Sequence, residues 1–100
     1  MSTEYQEWLK DLNKEDLQFI KRFILASGSL KTLAKEYGVS YPTLRIRLDR
    51  LIEKVKVCDD QSMDDPFKKQ IRLMVADGEI SDKTAIHLLQ AHEKSKKERN

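Results

Sequence analysis

Residues Ser29 to Val55 read SLKTLAKEYGVSYPTLRIRLDRLIEKV. Leu30, Leu33, Ala34 and Tyr37 recur at i, i+3, i+4 and i+7, the spacing that stacks side chains on one side of an α-helix. Ser29 precedes the run, where its hydroxyl can accept from an orphan N–H of the first turn. Gly38 follows it, where a helix often ends with φ > 0, a conformation cheap only without a Cβ. After the break Gly38-Val39-Ser40, Ser40 caps a second helix and Pro42 falls in its first turn, where a missing N–H loses nothing. Leu44, Leu48, Leu51, Ile52 and Val55 then share a face. Ala34 lets the two helices approach, and Val39 and Leu44 are expected to fill the angle between them. This is the outline of a helix-turn-helix.

At about 100° per residue, Pro42, Thr43, Ile46, Asp49, Arg50 and Glu53 point away from that apolar stripe, with Arg45 and Arg47 flanking it. In a docked recognition helix the first turns meet base edges and flanking cations meet phosphates. Thr43, Ile46 and Arg50 are therefore base-edge candidates, and Ile46 suits a thymine methyl. Lys31, Arg45 and Arg47 are phosphate candidates. Tyr41 can offer its hydroxyl to a phosphate, and Ser40 opens the same helix. Asp49 and Glu53 repel phosphates, so the contacts are expected in the first two turns. A competing reading pairs Arg45 with Asp49 and Arg50 with Glu53 on a solvated face.

The chain has 100 residues, with 36% charged, 39% hydrophobic, three Gly and two Pro. That size suits one small domain with an appendage, and so few turn-forming residues favour helices over a strand-rich fold. The net charge of +2 is unevenly spread. Residues 29–56 carry seven Lys/Arg against three Asp/Glu, whereas residues 57–82 carry three against seven. The basic excess coincides with the reading unit, as an electrostatic footprint should.

Before this unit, Tyr5, Trp8, Leu9 and Leu12 suggest a short helix from Glu4 to Leu12 with Trp8 anchoring it. Asn13 caps a second helix, with Asp16 closing a carboxylate variant of the capping box. Leu17, Ile20, Phe23 and Ile24 form its expected core stripe, widened by Phe19, and Gly28 ends it. After Val57, the segment CDDQSMDD (58–65) reads as an acidic linker. Asp65-Pro66 starts a helix with Phe67, Ile71, Met74 and Val75 on one face. Gly78 closes it, and Ser81 caps a last helix carrying Ala85, Ile86, Leu88, Leu89 and His92. EKSKKERN (93–100) reads as a polar tail. Such an α-hairpin has little core of its own, so it must pack on the first unit or on a second copy of the chain.

No catalytic or cofactor chemistry is expected. The lone Cys58 excludes an internal disulfide and a cysteine-based zinc site, and its acidic neighbours disfavour a thiolate. His87 and His92 lie about 140° apart round a helix and share no metal face. The chain has no phosphate-binding glycine loop, and CDDQSMDD lacks the spacing of a calcium loop. No apolar run approaches ~20 residues, so no membrane span is expected. MSTEYQEWLK lacks the basic start and apolar run of a signal peptide, which points to the cytoplasm.

From Trp8 to Val55 the chain resembles an uncharacterised bacterial family, a domain of unknown function whose members are regarded as helix-turn-helix regulators. The resemblance is most specific at Ser27-Gly28-Ser29-Leu30-Lys31 and Ser40-Tyr41-Pro42-Thr43, followed by Arg45, Arg47, Leu48 and Asp49. Gly78-Glu79-Ile80-Ser81 looks like the turn of the hairpin that ends such proteins. The resemblance implies an all-α DNA-binding fold and a cytoplasmic regulator. Longer members carry an N-terminal cysteine-rich zinc ribbon, absent here, so no role of that ribbon transfers.

The expected fold is all-α. A helix-turn-helix unit of three to four helices (1–57) is followed by an acidic linker (58–65) and a C-terminal hairpin with its tail (66–100). The expected function is non-enzymatic, sequence-selective binding of double-stranded DNA in transcription regulation, with the helix 41–55 in the major groove; no small-molecule effector is evident from the sequence. A homodimer through the hairpin and packing of the hairpin in cis are weighed equally. The rival function is a protein-interaction module using the outer face around Ile46.

Overall fold

The computed structural model describes residues 8–60, 62 and 64–99, and within them every regular element is an α-helix. These are α1 (Lys14–Leu25), α2 (Leu30–Tyr37), α3 (Tyr41–Asp59), α4 (Pro66–Ala76) and α5 (Asp82–Arg99). The expected helix Glu4–Leu12 falls partly outside the described residues. Its described end is not α-helical: Trp8 and Leu9 form a single tight turn closed by Leu12 N–H donating to Leu9 C=O. Trp8 and Leu9 still pack against the core.

The helix starts are where capping chemistry places them. Asn13 and Asp16 form a reciprocal capping box at 2.8 and 3.1 Å. Ser29, Ser40, Asp65 and Ser81 each accept a backbone N–H of the turn that they open. Gly38 ends α2 at φ 67°, and Val39 N–H reaches back to Ala34 C=O at 3.1 Å, a Schellman closure. Ala26 and Ser27 carry the chain out of α1 before Gly28, so that helix ends slightly earlier than expected.

Among the described residues, Phe19, Leu33 and Leu44 are the largest fully buried side chains, one from each of the first three helices. Burying each contributes roughly 1.5–3 kcal/mol. The molecule is only 17 Å thick along its shortest axis, so few positions have neighbours on every side. The phase of α1 differs from the expected one: Phe19 is its buried centre, Ile20 and Phe23 flank it, and Leu17 and Ile24 are exposed. Val39, expected between α2 and α3, is exposed as well, and Leu44 with Ala34 fills that angle alone.

α4 packs along α3 and α5 packs on α4, so the hairpin lies in cis on the helix that precedes it. α3 runs through Asp59, two residues into the acidic segment, and Cys58 is buried in the core cluster that also holds Leu73 of α4. α4 therefore buries two sides. Leu73 joins the main core, while Phe67 stacks on His92 of α5 with ring centroids 4.3 Å apart.

One charge is buried at the junction. Lys54, only 3% exposed, bonds Asp16 of α1 and reaches Asp77, the residue ending α4, at 3.1 Å. Burial alone would lower its pKa. The two carboxylates outweigh that and hold it above the ordinary 10.5. Its stabilising contribution is therefore full below pH 10.5 and is lost as pH rises through the higher folded value. A second cluster joins the hairpin's helices: Asp65 accepts from Lys96 at 3.2 Å and bonds His92 Nε2 at 2.9 Å. The His92 bond, followed by those from Lys96 and the backbone N–H groups of Phe67 and Lys68, holds the Asp65 carboxyl well below the usual carboxylate range.

Two outcomes follow. Asp16→Ala with Asp77→Ala strands a buried ammonium and should cost about 3–5 kcal/mol in urea unfolding, whereas Lys54→Met, which removes the charge, should cost less. The reverse order would show that Lys54 is not held by these carboxylates. Asp65 contributes stability above its ordinary pKa of 3.8, and that contribution is lost as pH falls below it. Thermal melts of Asp65→Asn and the unaltered chain should therefore differ most above pH 3.8 and converge below it. A gap that stays constant with pH would exclude the carboxylate charge as its source.

Candidate nucleic-acid interface

The turn between α2 and α3 aims the first turns of α3 into solvent. Ser40 Oγ accepts the Thr43 N–H at 3.3 Å and its hydroxyl donates to Thr43 Oγ1 at 2.9 Å. Thr43 is thereby held in one rotamer with an exposed methyl and an oxygen that can still donate. Tyr41, Pro42 and Thr43 are all exposed, and so is Lys31 on α2. Arg45 is exposed and pairs with Asp49 at 3.3 Å, the i,i+4 contact of the solvated-face reading. Half-exposed pairs of this kind are weak, roughly 0–1 kcal/mol, so a phosphate can displace the aspartate.

The other three candidates are placed differently. Arg47 is half-buried, and its guanidinium lies 4.9 Å from the Tyr37 ring centroid and 5.1 Å from that of Phe19. Arg22 covers the Tyr37 ring at 4.2 Å. Arg47 thus packs on two aromatic faces, a contact sequence spacing alone did not indicate. Arg50 turns toward the α4–α5 turn. A Cβ built on Gly78 would lie 3.1 Å from Arg50 Nη2 and 3.2 Å from its Cζ, and Gly78 itself has φ 75°. A larger residue there would both strain the turn and push the guanidinium away. Ile46, 55% exposed, forms one wall of a groove of ≈ 670 Å³ whose opposite wall is Val75, Ala76, Ala85 and Ile86.

The eight candidates therefore fall into two groups. Lys31, Ser40, Tyr41, Thr43 and Arg45 stand at the open N-terminal end of α3. Ile46, Arg47 and Arg50 engage other parts of the chain. Electrostatics separates the groups too. A cleft of ≈ 320 Å³ is lined by Arg47, Arg50 and Lys54 together with Glu15, Asp16, Asp77 and Glu79, and of these cations Lys54 pairs directly with carboxylates, those of Asp16 and Asp77.

Two charged residues central to this arrangement were missed from sequence. Lys54 lies three positions after Leu51 and four before Cys58, beside Arg47 on the flank of the apolar stripe, a position that gives little sign of burial. Arg22 lay in an amphipathic helix with no mark of its aromatic partner. Cys58 is buried, and burial, followed by the Asp11 charge, raises its thiol pKa, so it stays protonated at neutral pH. Among the described residues, no group of three or more His, Cys, Asp or Glu is placed to hold a metal ion. No described helix is long and apolar enough to cross a membrane.

Comparison with curated proteins and with solved structures yields no match. A family model does match, over residues 12–57, which takes in α1, α2 and nearly all of α3. The model is that of the family described as domain of unknown function DUF2089, helix-turn-helix, and the stretch it matches holds the capped two-helix turn and the three core side chains.

Proposed function

We propose that the chain is a non-enzymatic, sequence-selective binder of double-stranded DNA that acts in transcription regulation. The observation that carries this is the open end of α3, where Tyr41, Thr43 and Arg45 stand exposed beside Lys31 of α2. In this reading the first turns of α3 enter the major groove. Lys31 and Arg45 hold phosphates, Ser40 fixes the Thr43 rotamer, and Thr43 meets a base edge. Tyr41 donates to the backbone from the groove's edge. Arg47 supports the site from behind by fixing α3 against the Phe19 and Tyr37 rings.

A second reading has one observation of its own. Ile46 sits at the mouth of an apolar groove, which suits a protein side chain as well as a thymine methyl. In that reading the helix-turn-helix is retained as a shape and the groove takes a partner protein. A homodimer is not needed by either reading. Of the two arrangements weighed for the hairpin, the structure has it packed on α3, with Phe67, Ile86 and Leu88 among its exposed apolar residues.

Fluorescence anisotropy against labelled mixed-sequence duplexes separates the two readings. Binding that weakens steeply with salt supports DNA recognition, and silence at low salt favours the protein partner. Arg45→Ala should weaken all duplexes alike and reduce the salt slope by ~1, with little change in melting temperature. An unchanged slope removes Arg45 from the backbone contacts. Arg47→Ala should instead lower stability by about 1–2 kcal/mol, because it empties a position between two rings. Unaltered stability in that variant would contradict the supporting role given to Arg47.

A further inference from the structure

The hairpin lies on the same side of α3 as two of the residues best placed to read bases. Counting round the helix, Ile46, Arg50, Glu53 and Val57 form one strip of α3, and all four line the groove faced by α4 and α5. Arg50 lies across the Gly78 turn. Asp82, the first residue of α5, lines the same groove as Ile46 and Asp49. Asp77 and Glu79 of the turn share the adjoining cleft with Arg47 and Arg50.

A recognition helix in the major groove has DNA on both sides of its exposed strip, since the groove is about 12 Å wide and a helix with its side chains fills it. From Ile46 onward the hairpin flanks that strip across the groove, with Ile46 and Arg50 still partly exposed. What flanks it is also negatively charged. Asp77, Glu79 and Asp82 fall within six residues and line the same groove and cleft as Arg50.

We propose that the α4–α5 turn is an autoinhibitory clamp: its acidic tip competes with the DNA backbone for the middle of α3, and full reading by Ile46 and Arg50 requires the tip to leave that helix. This rests on the DNA-binding reading given above and adds its regulation. The clamp is held by Arg50 over Gly78 and by Lys54 on Asp77. In the closed form only the open end, from Tyr41 to Arg45, meets DNA, giving weak and poorly selective binding. Release of the tip adds Ile46 and Arg50 to the interface. The apparent affinity is therefore the open-form affinity reduced by the fraction of molecules that are open.

Gly78→Ala tests this without changing charge. Its Cβ meets the Arg50 guanidinium, and its φ of 75° disfavours any residue with a Cβ. If the closed form dominates, the variant should bind a mixed-sequence duplex about five- to tenfold more tightly. Hydrogen exchange on the unaltered full chain gives a second readout that does not depend on how well the variant folds. Saturating duplex should speed exchange at residues 77–85 while slowing it at the start of α3. Exchange at 77–85 that is unchanged or slowed by duplex would overturn the clamp and make the hairpin a fixed flank of the site. A variant that folds with its helix content intact but binds no more tightly would do the same. No duplex binding by the unaltered chain or the variant at low salt is a separate result: it removes the DNA-binding reading itself, and the clamp with it.

Discussion

Lys54 is the point at which the structure is tied together. A single ammonium, nearly sealed from water, is shared by a carboxylate of α1 and one at the end of α4. Taking a charge out of water is costly, and only good pairing offsets the cost. The arrangement is therefore better at specifying geometry than at adding stability. Asp16 has a second task in the capping box that starts α1. One carboxylate thus fixes where the first helix begins and also where the long helix lies against it. Asp77 ties the end of α4 to the same ammonium, so α1 and the hairpin are both registered to one nitrogen of α3.

This makes α3 a shared element with two kinds of surface. Its apolar stripe meets α1 and α2 through Leu44, Leu51 and the rings that hold Arg47. Its outer strip faces the hairpin across a groove from Ile46 onward, with Ile46, Asp49, Arg50 and Glu53 still exposed. The cations along α3 are correspondingly not equivalent. Arg45 is bound by a weak exposed pair, Arg47 by aromatic faces, Arg50 by a glycine turn and Lys54 by two buried carboxylates. Four positively charged residues within ten positions have four different jobs, and only the first is free of a structural one.

Local chemistry was legible in the sequence and long-range pairing was not. The five capping residues, the Gly38 closure and the Pro-initiated α4 depend on neighbours a few positions away, and each is found where those neighbours require it. The phase of α1 was harder to read. Leu17, Phe19, Ile20, Phe23 and Ile24 span an arc of about 160°, so periodicity points to its middle at Ile20 and Phe23, whereas the buried residue is Phe19 at its edge. Phe19 wins because the Tyr37 and Arg47 side chains meet it from α2 and α3. Leu73 has no place on the one apolar face expected for α4, whereas a helix between two others needs two. Nothing near Lys54 in sequence announces Asp16 or Asp77. The open end of the site, from Ser40 to Arg45, was readable from the same local rules as the turn that presents it. The fate of Ile46 and Arg50 depended on where the hairpin lies.

The family resemblance stops at residue 57, but α3 continues to Asp59 and its buried Cys58 packs in one core with Leu73. The matched stretch and the packed core therefore do not share a boundary. Cutting the chain where the match ends would remove the last two residues of a helix, open an apolar seam along it and leave Lys54 with one of its two carboxylates. Any hairpin put in place of this one would have to bring a carboxylate to the place of Asp77 and a small residue to that of Gly78.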